Sequence, residues 1–486
     1  MSSHAATPEQ RPFGRAHGLL IAASVALIAI VLVLPARDAL IDDSYITLCY
    51  VRNLLEHGVW GLAPAEPANT ATSPLNVLAL AALSLVTGDP LQAVPALSVC
   101  AALISCTMLG ALAARERLAW WFAPLSTLLL LFNPLLQSTL GLETQLGIAL
   151  LLANAAAVSA GRPLACGVTA ALCALTRPDL AVYVLCVALF FPAARTLRAL
   201  SAFVVVALPW YAWSWWQLGS LLPDTLIIKT NSGTWAGFTF ADGPLLLARK
   251  FPVEFFASAV MALFGLGALA LLAARGGLRV ASEPQPATRV LALASLVHYC
   301  AFSQLGVPPY HWYYGPCVAC WTVLAAPRET TSSRGLVVVP CLVLMSLAAL
   351  TAARGGPWRH APIMANRALP AEYRAYGVAL ARQHGDITII APSELGTLTY
   401  FCRCALMDVF SDRGLTNALI SERLSATQGL RRTWLAFNYR YRNLDVGPRP
   451  TQARLVWTSD DAPVPGMLTH SPWSGSGKLA LLHESR

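Results

Sequence analysis

Residues 19–47 read LLIAASVALIAIVLVLPARDALIDDSYIT, an apolar run that passes almost directly into an acidic pair. The run from Leu19 to Leu34 follows a basic start, as in a signal peptide, but many more apolar segments come after it. We therefore expect a retained signal anchor, which is the first membrane-spanning helix. The chain then leaves the bilayer and carries Asp42 and Asp43 at the membrane surface.

The composition of the whole chain is that of a membrane protein. Hydrophobic residues make up 56% of it and charged residues only 12%, whereas soluble domains carry about 25% charged residues. Charge is costly in lipid, so we predict a polytopic α-helical membrane protein with about 11 to 13 transmembrane helices. The apolar segments are 18–35, 75–113, 119–132, 143–160, 164–192 (a broken pair at Pro178), 199–218, 255–274, 289–305, 315–326 and 335–353.

Two regions follow from the distribution of charge. Residues 1–353 form the multi-pass region, with a first outer loop at 36–74, and residues 354–486 form a small soluble α/β domain. In this domain we predict strands at 386–391, 404–409, 454–458 and 478–482, and a short helix at 393–401.

The net charge of +9 does not indicate nucleic-acid binding. The basic residues lie in short clusters between apolar runs, such as Arg115/Arg117 and Arg195/Arg198, as the positive-inside rule requires. With the N-terminus inside, the first loop and the C-terminal domain lie outside. This topology holds only if segment 75–113 crosses an odd number of times, so residues 75–87 would insert partially.

The acidic pair itself has two interpretations. Adjacent carboxylates at a membrane surface repel each other and are partly desolvated, and both effects raise a carboxyl pKa and suit general-base chemistry. Alternatively, the pair stabilises the N-terminus of a juxtamembrane helix.

The twelve cysteines indicate no zinc site by their spacing. Most lie inside apolar runs, where a small buried side chain is their ordinary role. Cys402 and Cys404 form a C-x-C in the tail, and in a strand they would point to opposite faces, so a mutual bridge would be strained. Their redox state is left open.

The first outer loop resembles that of the GT-C superfamily of membrane glycosyltransferases. The similarity is closest to members such as the terminal arabinofuranosyltransferases, and more distant to protein mannosyltransferases and lipid A aminoarabinose transferases. The matching stretches are IDDSYIT at 41–47, Arg52-Asn53, TSPL at 72–75, GLET at 141–144, LTRPD at 175–179, GSLLPDT at 219–225 with Lys229, and PYHWYY at 309–314.

The resemblance implies transfer of a sugar from a polyprenyl-phosphate donor to an acceptor at the outer face, by inverting displacement. It assigns the catalytic base to Asp43 or Asp42. It assigns donor-phosphate or substrate binding to a further set, which is Arg52, Lys229, Arg177, Glu143, His311 and Tyr45.

Several of these residues have a structural alternative. Arg177 could instead pair with Asp179, because a buried arginine in lipid needs a partner. Lys229 could contact lipid headgroups. The aromatic residues at 310–314 could form the interfacial belt, or stack on a sugar.

The implied partners are a polyprenyl-phosphate-linked sugar, a glycan, lipid or protein acceptor, and the lipid bilayer. Arabinofuranose is one candidate sugar. A divalent metal stays open, because the sequence contains no closed ligand set. The implied location is the bacterial inner membrane, with the active site and the C-terminal domain on the periplasmic side. Two rival functions are a polytopic transporter or flippase, and a non-catalytic subunit that binds polyprenyl phosphate.

Overall fold

The computed structural model describes residues 15–64, 66–188, 193–275, 287–326, 334–354, 359–385, 387–391 and 393–483. Asp386, at the start of one predicted strand, lies outside them. Among the described residues, four helices are long and apolar enough to cross a membrane. They are α1 (Arg15–Ala36), α4 (Pro90–Glu116), α10 (Ala193–Trp213) and α13 (Pro252–Ala274).

Seven shorter apolar helices accompany these four in the described part of the chain. They are α3 (Pro74–Thr87), α5 (Phe122–Leu131), α7 (Thr144–Ser159), α8 (Pro163–Thr176), α14 (Ala287–Ser303), α15 (Gly315–Ala325) and α16 (Arg334–Ala353), whose apolar part is Val337–Ala353. The prediction of a polytopic helical membrane protein is confirmed.

The long segment 75–113 divides into α3 and α4 at a tight turn. Gly88 ends α3 in the left-handed region, with φ of 77°, and the Asp89 carboxylate then accepts a hydrogen bond from the Leu91 amide to start α4. At about 1.5 Å per residue, the 14 residues of α3 reach only about 21 Å, less than the roughly 30 Å of a hydrocarbon core. Its length suits the partial insertion that the charge pattern requires.

The broken pair at 164–192 is also present. Helix α8 ends at Thr176, a 3-10 turn covers Pro178–Leu180, and α9 (Ala181–Ala188) follows. Pro178 cannot continue α8, because proline lacks the amide hydrogen that an internal helical residue donates.

Short helices fill the segments between the apolar ones. They are α2 (Asp42–His57), α6 (Pro134–Gln137), α11 (Thr225–Asn231) and α12 (Gly243–Lys250), with a 3-10 turn at His311–Tyr313.

The C-terminal region is a five-stranded mixed sheet with helices. The helices are α17 (Pro370–His384), α18 (Gly396–Cys402), α19 (Arg413–Ala426) and α20 (Gly429–Asn438). The strands are β1 (Thr388–Ile390), β2 (Ala405–Met407), β3 (Ala453–Thr458), β4 (Gly466–Ser471) and β5 (Gly475–His483). Their order is β2-β1-β3-β5-β4. Strand β1 pairs parallel to β2 and β3, and β5 pairs antiparallel to β3 and β4.

Four of these strands match predicted ones, while β4 was missed. Met467 and Leu468 are adjacent in β4, so the strand lacks the alternation of apolar and polar residues that marks a half-buried strand.

The tail also contains a disulfide between Cys402 and Cys404. The expectation that such a bridge would be strained assumed an extended strand, whereas the chain turns here. Cys402 ends α18, and Arg403 follows in the left-handed region with φ of 55°.

One hydrophobic core runs across the boundary predicted at residue 353. Tyr45 and Leu48 of α2 belong to the same buried cluster as Leu395 and Leu398 of the tail, and the sheet residue Leu479 also belongs to it. The tail therefore packs directly on α2, in the segment predicted as the first outer loop.

Candidate active site

The two aspartates occupy the first turn of α2. Ile41 precedes them in an extended conformation, and neither carboxylate caps the helix that carries it. Consecutive residues of a helix point about 100° apart, so the two side chains enter different surroundings.

Asp42 is turned toward the tail. Its carboxylate is buried and accepts hydrogen bonds from the amides of Gly396 (3.0 Å) and Thr397 (2.7 Å), at the N-terminus of α18. Burial raises the pKa of Asp42, although these two amides oppose the shift. A β-carbon at Gly396 would collide with the Asp42 carbonyl, so only glycine permits this approach.

Asp43 interacts electrostatically with Lys229. It is half-buried, and its carboxylate accepts no hydrogen bond from any other residue that the structure describes. Burial raises the pKa of Asp43 to about 6, while the Lys229 ammonium opposes the shift and the neighbouring Asp42 adds to it. The two carboxylates thus differ: one is bound to backbone amides and the other is free.

Lys229 lies in a cage of aromatic rings. Its Nζ is 4.4 Å from the ring centroid of Tyr310, 5.2 Å from that of Trp312 and 5.2 Å from that of Tyr313. The side chain is buried, and its ammonium donates no hydrogen bond within the described residues. The rings stabilise the cation through their negative faces, which leaves its three donors available to an anion.

The aromatic residues therefore do more than form an interfacial belt. Tyr310, Trp312 and Tyr313 come from the PYHWYY stretch and meet Lys229 from α11 across a little over 80 residues of chain. The burial of Lys229 under these rings also disfavours the alternative of a simple headgroup contact.

Arg177 is fully buried and heavily paired. Its Nε and Nη2 donate to the two oxygens of Asp179 at 2.9 and 2.7 Å, and Nη1 donates to the Trp312 carbonyl. The Glu143 carboxylate lies 3.8 Å from Arg177 Nε. His298 Nε2 lies 2.8 Å from Asp179 Oδ2, the oxygen that also accepts from Arg177 Nη2. The structural alternative for Arg177 thus accounts for most of its donors.

Glu143 precedes α7 and is itself buried. Desolvation raises the pKa of the Glu143 carboxyl, and the nearby Arg177 and Lys229 oppose the shift. Glu143 therefore interacts electrostatically with two cations, the paired Arg177 and the unpaired Lys229.

A cavity of about 360 Å³ opens beside Lys229, within the roughly 300–1,000 Å³ range of small-molecule sites. One part of its wall is polar and the other is apolar, with Pro178 and Pro223 also in the wall. The polar side chains are Thr72, Arg177, Asp179, Thr225, Lys229, His298 and Tyr313, and the larger apolar ones are Val182, Leu222, Leu226, Phe302, Leu305 and Val307. Such a wall suits an amphiphile whose anionic head meets Lys229 and whose chain lies along the apolar side.

The remaining predicted site residues lie elsewhere. Tyr45 packs on the rings of Tyr400 and Phe401, and Arg52 donates to the Tyr400 carbonyl at 2.6 Å. His311 is buried against the Ser138 carbonyl at 3.3 Å, and desolvation lowers its pKa to about 4, which keeps it neutral.

None of these three lines the described cavity, and neither do Asp42 and Asp43, although Asp43 interacts electrostatically with Lys229 in the wall. Nothing in the sequence pointed to His298, a lone histidine in an apolar helix, although it contacts Asp179. No group of three histidine, cysteine or carboxylate side chains in the described residues is arranged to hold a metal ion.

Solved membrane enzymes share this architecture. The structure of ArnT from Cupriavidus metallidurans, bound to undecaprenyl phosphate, matches with a TM-score of 0.56 and 14% identity, and the match covers 97% of this chain and 98% of that one. The apo oligosaccharyltransferase of Archaeoglobus fulgidus matches with a TM-score of 0.51 and 11% identity, over 91% of this chain and 70% of that one.

The mycobacterial arabinofuranosyltransferase AftD matches less well. Its TM-score is 0.48 at 13% identity, over 91% of this chain and 35% of that one, which is too low to indicate a sugar. No protein-family model and no curated protein sequence matches this chain.

The helices, the cavity and the appended sheet define a multi-pass membrane protein with a site between its apolar helices and the segments that join them. Its fold is that of the GT-C membrane glycosyltransferases, as the sequence resemblance predicted.

Proposed function

We propose that this protein is a glycosyltransferase that moves a sugar from a polyprenyl-phosphate donor to a hydroxyl acceptor outside the cytoplasm. The observation that carries the proposal is the unpaired Lys229 ammonium at the polar side of a largely apolar cavity, in electrostatic interaction with the unbound carboxylate of Asp43. A phosphate on a prenyl chain presents one strong anion and a long apolar tail, and this cavity matches both.

The reaction is a single inverting displacement. The acceptor oxygen attacks the anomeric carbon, a new carbon–oxygen bond forms, and the bond from that carbon to the phosphate oxygen breaks. Asp43 takes the proton of the attacking hydroxyl as general base. Lys229 stabilises the negative charge that builds on the departing polyprenyl phosphate, which is usually a large contribution to catalysis.

The other residues position these two groups. Asp42 fixes the first turn of α2 by binding the tail, so we infer a positioning role for it and assign the base to Asp43. Arg177 and Asp179 hold one wall of the cavity through the Trp312 carbonyl. Arg52, Tyr45 and His311 support the tail and the aromatic cage by packing.

A transfer assay tests the proposal. Full-length protein in nanodiscs is supplied with polyprenyl-phosphate sugars, including the arabinofuranose donor, and with glycan, lipid and peptide acceptors. We expect transfer by the wild type and a loss of about 10²–10⁴-fold in Asp43→Asn, the usual contribution of a general base. Equal transfer by the variant would contradict the assignment of the base.

Donor binding is measured separately, with sugar-free polyprenyl phosphate. We expect Lys229→Met to weaken binding by about 10- to 100-fold, since one hydrogen bond to a charged group contributes about 1.5–3 kcal/mol. Lys250→Met is the matched control, because Lys250 also lies over an aromatic ring, that of Trp473, but is exposed and outside the cavity. Binding with no transfer to any acceptor would favour the non-catalytic subunit, and movement of the donor across the bilayer would favour a flippase.

We also propose that the tail lies on the periplasmic side of a bacterial inner membrane. The Cys402–Cys404 disulfide supports this side, because such bonds persist in oxidising compartments and are rare in the cytosol. In spheroplasts, a membrane-impermeant thiol reagent should label these two cysteines only after an impermeant reductant has been added from outside. Labelling that requires permeabilised membranes would place the tail inside.

A further inference from the structure

Helix α20 carries an exposed apolar stripe. Leu430 is 88% exposed, Trp434 50%, Phe437 41% and Tyr441 42%. Spacings of four and three residues place the first three along one side of the helix, and Tyr441 follows shortly after its end at Asn438. The opposite side holds Leu435, which packs into the small core beneath α19 and α20. A stripe of this size, left open beside a well-packed core, indicates a partner.

The stripe touches the end of a membrane span. The Trp215 ring lies 4.6 Å from that of Phe437 and 4.9 Å from that of Tyr441, and Trp215 Nε1 donates to the Phe437 carbonyl at 2.9 Å. The Trp216 ring, on a residue that is 66% exposed, lies 5.2 Å from that of Tyr441. Helix α20 is therefore fixed at the depth of these two tryptophans.

That depth is the membrane interface. The apolar span Arg195–Leu218 has 24 residues, or about 36 Å at 1.5 Å per residue, slightly longer than the roughly 30 Å hydrocarbon core. Trp215 and Trp216 are in its last turn, where tryptophan and tyrosine are enriched because their rings are apolar with a polar edge. The stripe of α20 continues this aromatic band outward from the span.

Basic residues border the stripe. Arg431 and Arg432 are exposed beside Leu430, and Arg440 is exposed beside Tyr441. The sequence of α20 contains no acidic residue. We propose that α20 is an in-plane membrane helix whose partner is the outer leaflet of the bilayer, with its apolar stripe among the acyl chains and its arginines on anionic lipid headgroups.

This contact would act on the cavity. Asn438, the last residue of α20, accepts the Leu221 amide with its carbonyl at 3.3 Å and the Leu222 amide with its Oδ1 at 2.8 Å. Leu222 and Pro223 form part of the cavity wall. Lipid binding by α20 thus holds the loop that closes one side of the cavity, independently of which ligand the cavity takes.

Photo-crosslinking tests the proposal on the full chain in nanodiscs of mixed anionic and zwitterionic lipid. The variants are Leu430→p-benzoylphenylalanine and Trp434→p-benzoylphenylalanine, with Ala436→p-benzoylphenylalanine as the matched control on an exposed side away from the stripe. Adducts are identified by mass spectrometry, and the unfolding temperature confirms that each variant is folded. We expect at least fivefold more lipid adduct at positions 430 and 434 than at 436.

The composition of the bilayer provides a second measurement. The adduct yield at 434 should rise with the anionic fraction, and this rise should disappear in the Arg431→Gln/Arg432→Gln background. Equal lipid adducts at all three positions, or their absence at 430 and 434, would overturn the proposal. Crosslinked dimers at 430 and 434 would also overturn it and assign the stripe to a second copy of the chain.

Discussion

At the scale of single residues, two neighbouring carboxylates have different surroundings because a helix separates them by about 100°. Asp42 binds the amides of Gly396 and Thr397, and Asp43 lies beside Lys229. The sequence predicted that one of the pair is a base, but it could not choose between them. The choice depends on Lys229, which is more than 180 positions from Asp43, and on Gly396 and Thr397, which are about 350 positions from Asp42. No local pattern encodes such contacts.

The pH dependence of transfer should report Asp43. Its pKa is raised to about 6, and a base acts only when it is ionised, so the rate should fall about tenfold per pH unit below pH 6 and level off above it. Initial rates at donor concentrations well below KM, between pH 4.5 and 8, measure this limb, because kcat/KM reports the pKa of the free protein.

Unfolding of the tail at low pH does not explain such a limb. Burial raises the pKa of Glu394 to about 7 and that of Asp408 to about 6. A carboxyl with a raised folded-state pKa favours the fold at low pH, and this contribution is lost as pH rises through the folded-state value. An unfolding temperature that dropped together with the rate on acidification would contradict this account.

Substitution of Asp42 should lower the stability of the folded protein, whereas substitution of Asp43 should not. In Asp42→Asn, the side-chain oxygen can accept from only one of the two backbone amides, and the side-chain NH2 would face the other. The unsatisfied buried amide should lower the free energy of unfolding by about 1–3 kcal/mol. We expect a lower unfolding temperature and loosened packing of α18, seen as faster hydrogen exchange at Gly396 and Thr397. Asp43→Asn is the matched control, and it should leave both quantities unchanged while it abolishes transfer.

At the scale of elements, the decisive contact is between α18 of the tail and α2 of the first outer segment. Asp42, Tyr45 and Arg52 lie on α2, and all three contact α18. The sequence predicted a helix at 393–401 and, in one of two interpretations, a juxtamembrane helix that begins at the acidic pair, but not that they meet. Helix-forming patterns are local, whereas this packing joins the two ends of the chain.

Gly396→Ala should disrupt this contact. The added methyl group would collide with the Asp42 carbonyl and approach the Ile46 amide, so α18 must move, at about 1–3 kcal/mol for overpacking. We expect a lower unfolding temperature and at least a tenfold loss of transfer. Gly447→Ala is the control, because a β-carbon there would meet nothing within 4 Å. Equal behaviour of the two variants would argue against a functional role for the contact.

At the scale of the whole molecule, the tail holds both halves of the proposed site. It binds α2 through Asp42, and it binds the loop before α11 through a buried ion pair of Arg442 with Asp224, 2.8 Å apart. The Asp224 amide also donates to the Asn69 carbonyl at 2.8 Å, which joins this loop to the first outer segment.

Arg442→Met should therefore be severe. It leaves Asp224 buried without its partner, which costs about 3–5 kcal/mol, and it should also weaken polyprenyl-phosphate binding because Lys229 follows on α11. Thermal unfolding and donor binding measure the two effects. Glu56→Gln is the control: its partner Arg403 is 66% exposed, and an exposed pair contributes at most about 1 kcal/mol.

The sequence established more of the architecture than of the site at this scale. Charge depletion and apolar runs predicted the helical membrane region, because lipid selects for both along every span. Burial of Lys229 under three rings could not be predicted, since the lysine and the rings belong to separate segments that only the complete fold brings together.

The bond between Asp42 and α18 also has a consequence for the order of synthesis. The ribosome makes Asp42 some 350 residues before Gly396 and Thr397, so the acidic turn must wait for these residues before its binding partner exists. A nascent chain that stops short of α18 would thus already possess the acidic pair, yet it would lack the support that orients it. Competence would arise only after α18 has been translated and has docked on α2.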